Sequence, residues 1–132
     1  MTKEQIANSL SYCGLICILC CCDGSCDCRY INNCGKKSSK EGCFQYDCCK
    51  KNGFNGCWEC PDFCCDKGIF DNEHLRLKTF VKCMKEDGIE RFSEYIVRNM
   101  DNGILYHRKG IKGDYDLDTE EKILNLLRNG KY

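Results

Sequence analysis

Fifteen of the sixteen cysteines in this chain lie between Cys13 and Cys65. They come in tight groups: Cys13, Cys17, Cys20, Cys21, Cys22, Cys26 and Cys28; then Cys34; then Cys43, Cys48 and Cys49; then Cys57, Cys60, Cys64 and Cys65. An apolar core does not need sulfur at that density. The segment must be held by disulfides, by zinc or by iron–sulfur clusters.

The apolar residues sharpen the point. Before Cys65 the large aliphatics are few beyond Leu15, Ile16, Ile18, Leu19 and Ile31. After it come Leu75, Leu77, Phe80, Val81, Met84, Ile89, Phe92, Ile96, Leu105, Ile123, Leu124, Leu126 and Leu127. The second half can build a conventional core, and the first cannot do so without staples. With 132 residues, the chain is about one ordinary domain or two very small ones. The expected fold is a small metal-stabilised α+irregular one. A cysteine-rich, turn-dominated minidomain (1–66) packs on a small helical unit with a short extended segment (67–132), and the boundary falls at Asp66–Gly68.

Net charge is zero and evenly spread, with 7 basic against 8 acidic residues in 1–66 and 13 against 12 in 67–132. No basic face stands out, so nucleic acid is not an expected partner. Lys36, Lys37, Lys40, Lys50 and Lys51 read more simply as offsets to the negative charge of a thiolate-bound zinc ion than as a binding patch. The N-terminus lacks the basic and apolar regions of a secretory signal. The longest apolar run, Leu15–Cys22, is far shorter than the ~20 residues that span a bilayer. The expectation is a soluble cytoplasmic protein without membrane contact. Thiols stay reduced in that compartment, so clustered cysteines read as metal ligands rather than disulfides.

Along the chain, Thr2 to Gln5 fits a capping box, with Ile6 and Leu10 following at helical spacing. The cysteine segment is broken by Gly14, Gly24, Gly35, Gly42, Gly53 and Gly56 and shows no sustained period. It reads as loops and tight turns, with a helical turn near Lys36–Glu41. Beyond the boundary, Asp71 or Asn72 caps a helix with Leu77, Phe80, Val81 and Met84 on one face, ended by Gly88. Asp87 to Glu90 is a second capping box, opening a helix with Ile89, Phe92 and Ile96 that ends at Asn102-Gly103. Ile104–Tyr106 is read as extended, and Asp118 with Glu121 caps a last helix that Gly130 closes.

Cys57-x2-Cys60 and Cys17-x2-Cys20 have the spacing of zinc knuckles, in which a tight turn offers two sulfurs to one tetrahedral ion at ~2.3 Å. Two such pairs, flanked by Cys13, Cys43, Cys48 and Cys65, form a strong signal; inert buried thiols are the weaker account. Cys13-x3-Cys17-x2-Cys20 also matches the triple that holds a [4Fe–4S] cluster in radical S-adenosylmethionine enzymes. Those need a large α/β barrel, which this length excludes. An iron–sulfur cluster with a fourth cysteine stays open, because four-cysteine ligation alone does not separate zinc from iron. Adjacent cysteines (Cys20–Cys22, Cys48-Cys49, Cys64-Cys65) either bridge two metals or leave some thiols spare, and spare thiols are slightly the better account. His74 reads as an early helix residue. His107 lies close in sequence to Asp114, Asp116 and Asp118, but Thr119 and Asn125 stand where a calcium loop needs glycine and glutamate, so a capped turn explains that run better. No nucleophile triad, phosphate loop or H-E-x-x-H helix is present. An enzymatic role is not favoured.

The run Cys13-Gly14-Leu15-x-Cys17-x2-Cys20, then Cys43-x4-Cys48 and Cys57-x2-Cys60-x2-Phe63-x-Cys65, resembles the bacterial and archaeal family called domain of unknown function 3795. Gly88-Ile89, Asn102-Gly103, Tyr106-His107 and Gly113 to Asp116 resemble the tail of one of its branches. The resemblance implies a small cysteine-rich metal protein, with zinc the commonly ascribed ion. Cys21 and Cys64 stand where the family tends to have proline. The spacer after the first cysteine group is nearly absent, and Cys22, Cys26 and Cys28 crowd that region. Cys34, Cys49 and Cys83 have no clear counterpart.

These readings converge on a protein coordinating two or more zinc ions, mainly structurally. The expected ligands are Cys13, Cys17, Cys20, Cys26, Cys28, Cys43, Cys48, Cys57, Cys60 and Cys65, with Cys34 a weaker one. Such a module is expected to bind a protein partner. The alternatives are an iron–sulfur protein for electron transfer or cluster handling, and thiolate metal storage. Metal-assisted hydrolysis trails them, because thiolate-only sites are usually closed.

Overall fold

A computed structural model describes residues 2–19, 44–61, 63, 75–106 and 113–130. Over these residues the protein is helical, and its only β pairing is an isolated antiparallel bridge between Leu10 and Ile16. The helices are α1 (Lys3–Asn8), α2 (Phe44–Asn52), α3 (Leu75–Asp87), α4 (Ile89–Asp101) and α5 (Glu120–Asn129), with short 3-10 turns at Cys17–Leu19 and Cys57–Glu59. The expected domain boundary at Asp66–Gly68, the caps Asp71 and Asn72 and the turn near Lys36–Glu41 lie outside the described residues.

The opening helix forms as its capping box predicts. Thr2 Oγ1 accepts from Gln5 N at 3.2 Å, and Gln5 Oε1 accepts from Thr2 N at 2.8 Å. It buries Ile6, and α1 packs along α4, where Lys3 reaches Glu90 at 2.8 Å and Glu94 at 3.0 Å.

Two expected caps are displaced. Gly88, with no side-chain cap bond, precedes α4, because the Asp87 carboxylate is held by Arg128 at 3.0 Å and Tyr95 at 3.1 Å. Thr119, not Asp118, caps α5; Asp118 pairs instead with Lys122 one turn on, at 2.8 Å. The expected stop at Asn102-Gly103 is present, with Gly103 N donating to Met100 O and Ile104 N to Asn99 O, the two bonds of a Schellman end. Ile104–Tyr106 joins no strand; Leu105 is instead tied to Asp114, whose side chain accepts from Leu105 N at 2.8 Å.

The larger core gathers Ile6, Leu10 and Ile16 with Phe80, Met84, Phe92, Ile96, Tyr106, Tyr115, Ile123, Leu126 and Leu127. Phe80 lies at its centre, edge-on to Phe92 and Tyr115 with ring centroids 5.3 and 5.4 Å away. Each such side chain withdrawn from water contributes ~1.5–3 kcal/mol. Asn99 is fully buried and satisfied: its amide donates to Tyr115 Oη at 2.9 Å and Leu126 O at 3.0 Å, and its oxygen accepts from Arg98. Arg98 also donates to the carbonyls of Leu127 and Arg128 at the end of α5, where the helix leaves acceptors unfilled.

The largest departure from expectation is α2, a nine-residue helix inside the segment read as loops and turns. It contains no glycine or proline, lies between Gly42 and Gly53, and places Lys50 and Lys51 in its last turn, where cations complement the helix dipole. Gly53, at φ +73°, takes the left-handed conformation that glycine adopts without strain. Gly53 N then donates to Lys50 O, and Phe54 N to Cys49 O at 2.9 Å, again a Schellman end.

Candidate metal centre

A second, smaller cluster buries Tyr12, Cys13, Cys49, Cys57, Leu77 and Val81, with Leu15, Tyr46, Phe54, Trp58 and Phe63 packed around it. Helix α3 serves both clusters. Its Phe80 and Met84 face the larger core, and Leu77 and Val81, also four residues apart, form the wall behind the cysteines.

Local backbone bonding places each sulfur. Cys13 sits in a tight turn in which Gly14 N donates to Ser11 O at 3.1 Å and Ser11 N to Leu15 O at 2.8 Å. Gly14 adopts φ +91°, and a Cβ there would stand 2.8 Å from Val81 Cγ2, so the turn lies flush on α3. Cys57 N donates to Tyr12 O at 2.8 Å, joining the turn of Cys13 to the 3-10 turn that begins at Cys57. Glu59 supports that turn by accepting from Asn55 N at 2.8 Å. Cys49 occupies the last turn of α2, where its own carbonyl is fixed by Phe54.

The result is a pair of buried sulfurs. Cys49 Sγ lies 3.8 Å from Cys57 Sγ, with the two residues 1% and 8% exposed. Cys13 Sγ lies 3.2 Å from Ser11 Oγ. On the half-exposed side of α2, Cys48 Sγ accepts from Asn52 Nδ2 at 3.6 Å. Cys17 and Cys60 are half-exposed, each in or beside a 3-10 turn.

Of the expected ligands, Cys13, Cys17, Cys48, Cys57 and Cys60 are described, and Cys20, Cys26, Cys28, Cys34, Cys43 and Cys65 lie outside the described residues. Cys13 and Cys57 fall in the buried cluster. Cys49, left without a role by the sequence reading, falls there too. The one sequence signal that could have revealed its helix is the Lys50-Lys51-Asn52-Gly53 ending. Among the described residues, no three His, Cys, Asp or Glu side chains converge closely enough to hold a metal ion by themselves.

Other candidates have structural employment. Asp114 accepts from Leu105 N, Asp116 Oδ2 from Gly113 N at 3.0 Å, and Asp118 pairs with Lys122, so the acidic run behaves as the capped turn expected of it. Lys50 stands 5.1 Å above the Tyr46 ring. His74 and His107 lie outside the described residues. Cys83 belongs to the other face of α3: it is fully buried and 3.7 Å from the Asp87 carboxylate. Burial first, and the Asp87 charge second, push its thiol up to about 12. No helix among the described residues is long and apolar enough to cross a membrane.

The chain matches no family model, no curated protein and no solved structure.

Proposed function

We propose that this protein binds two or more zinc ions through cysteine thiolates, mainly to hold its cysteine-rich half in shape, and that the folded module serves as a binding or adaptor unit for another protein. The observation that carries this reading is the close pair of buried sulfurs, Cys49 and Cys57 at 3.8 Å, in a cluster that also holds Cys13 and lies against Leu77 and Val81 of α3. Sulfur collects there at the seam between the helical core and a segment with too few apolar side chains of its own. Soft thiolate donors select zinc, Cu(I) or iron–sulfur clusters over the hard cations. The spacings Cys17-x2-Cys20 and Cys57-x2-Cys60 are those of structural zinc knuckles. The likeness to the domain of unknown function 3795 family rests on the same spacings and points the same way.

The test is elemental analysis with an absorption spectrum, on protein purified without oxygen. Zinc at ~2–3 ions per chain without a visible band supports the proposal. Iron with acid-labile sulfide and a dithionite-bleachable visible band replaces it with an iron–sulfur protein. A larger load that exchanges readily with Cu(I) replaces it with metal storage.

A further inference from the structure

We infer that Cys49 and Cys57 are ligands of one and the same metal ion, and that Cys48 is not a ligand of that ion. This rests on the metal-binding reading above and adds to it a ligand pair that the cysteine spacings do not suggest, since Cys57 is expected to share its ion with Cys60.

Geometry comes first. Two thiolates bound to a tetrahedral zinc at ~2.3 Å stand ~3.8 Å apart, and the Cys49 and Cys57 sulfurs are 3.8 Å apart. Both are positioned by backbone bonds that do not depend on the sulfurs. Phe54 N to Cys49 O and Gly53 N to Lys50 O fix the end of α2, and Cys57 N to Tyr12 O fixes the 3-10 turn.

Burial points the same way. With Cys49 1% and Cys57 8% exposed, beside Tyr12, Leu77 and Val81, ionised sulfurs need a cation to offset their charge. Helix periodicity then separates the neighbours: consecutive residues project ~100° apart around an α-helix. Cys49 therefore enters the cluster while Cys48, half-exposed, meets Asn52.

The experiment loads the intact chain with cadmium-113 in place of zinc and records proton–cadmium correlation spectra. The β-protons of Cys49 and Cys57 are expected to correlate with one shared cadmium resonance, and those of Cys48 not to correlate with it. C49S is expected to abolish or strongly shift that resonance, while C48S leaves it in place. Because the first readout uses the unmodified protein, misfolding of a variant cannot mask the answer. Cadmium bound to other cysteines, with Cys49 and Cys57 on different ions or on none, overturns the pairing, leaves metal binding standing, and makes the 3.8 Å contact a thiol hydrogen bond. A chain that takes up no cadmium at any cysteine overturns both.

Discussion

Lys85, on the exposed side of α3, donates from Nζ to the carbonyl of Cys60 at 2.7 Å and to that of Trp58 at 3.4 Å. The contact clasps the end of the Cys57–Glu59 turn to the helix whose other faces wall the cysteine cluster and the aromatic core. It also places a cation beside the turn of Cys57 and Cys60, where, on the metal-binding proposal, positive charge would offset that of a metal–thiolate site. K85M is expected to cost ~0.5–1 kcal/mol in urea unfolding, since the clasp is solvent-exposed. It should also weaken zinc retention against a chromophoric chelator. Unchanged competition curves would mean that the turn holds its sulfurs without the lysine.

Gly14 brings the first cysteine turn close against α3. An alanine there meets Val81 Cγ2 at 2.8 Å and must also adopt φ +91°, a region costly for residues with a Cβ. G14A is expected to destabilise the protein by ~1–3 kcal/mol. Adding V81A should recover little of this, because the backbone strain persists and a cavity is created. Full recovery in the double variant would assign the whole cost to the methyl contact.

The helical part was largely legible in the sequence because its apolar residues recur at helical spacing: Phe80 with Met84, Phe92 with Ile96, Ile123 with Leu126 and Leu127. Helix α2 carries no such stripe. Among its described side chains the buried ones are Gln45 and Cys49, one polar and one sulfur, so a hydrophobic period passes over it. The caps at Asp87 and Asp118 were misplaced for a related reason. Local spacing cannot see that Arg128, on another helix, claims Asp87, and at the last helix it allows both a Thr119 cap and an Asp118–Lys122 pair at i, i+4 without ranking them above an Asp118 cap. The same limit hid Cys49, whose place beside Cys57 depends on the turn between them rather than on a two-residue spacing.

Asp87 joins three helices, accepting from Arg128 Nε, Tyr95 Oη and Cys83 Sγ. Burial works to raise its carboxyl, but Arg128 and Tyr95 outweigh burial and hold it below its ordinary value. A carboxyl depressed in the native state stabilises the fold above its unfolded pKa of ~3.9 and loses that contribution as pH falls through the native value. D87N is therefore expected to cost ~1–2 kcal/mol at neutral pH. The gap from wild type should narrow as pH drops below ~3.9. Denaturation curves of both proteins at pH 7 and pH 3 check this, and an equal gap at both would remove the ion pair from the account.

Cys83 should stand apart from the other described cysteines. With its thiol pushed up to about 12, almost no thiolate is present at neutral pH, and the thiolate is the form that attacks alkylating agents or binds metal. In native protein stripped of metal, iodoacetamide followed by peptide mass spectrometry should label Cys17, Cys48 and Cys60 before Cys83. C83A should leave the metal content unchanged. Early labelling of Cys83 would show that α3 opens on its Asp87 side.

Metal removal should divide the molecule along α3. The face bearing Phe80 and Met84 belongs to a core completed by Phe92, Ile96, Tyr115, Ile123 and Leu126, which contains enough apolar area to persist without a staple. The face bearing Leu77 and Val81 borders a cluster in which half of the buried members are cysteines, and among the described side chains of α2 only Cys49 and Gln45 are buried. Where binding supplies the folding energy, a chelator unfolds what the ion held. Hydrogen exchange after chelation should therefore retain protection in α4 and α5 while the amides of α2 and of the Cys57–Glu59 turn lose most of theirs. Uniform retention would mean that the cysteine half stands without metal. Uniform loss would mean that α3 couples both clusters into one cooperative unit, so that Leu77 and Val81 contribute as much to the helical core as Phe80 does.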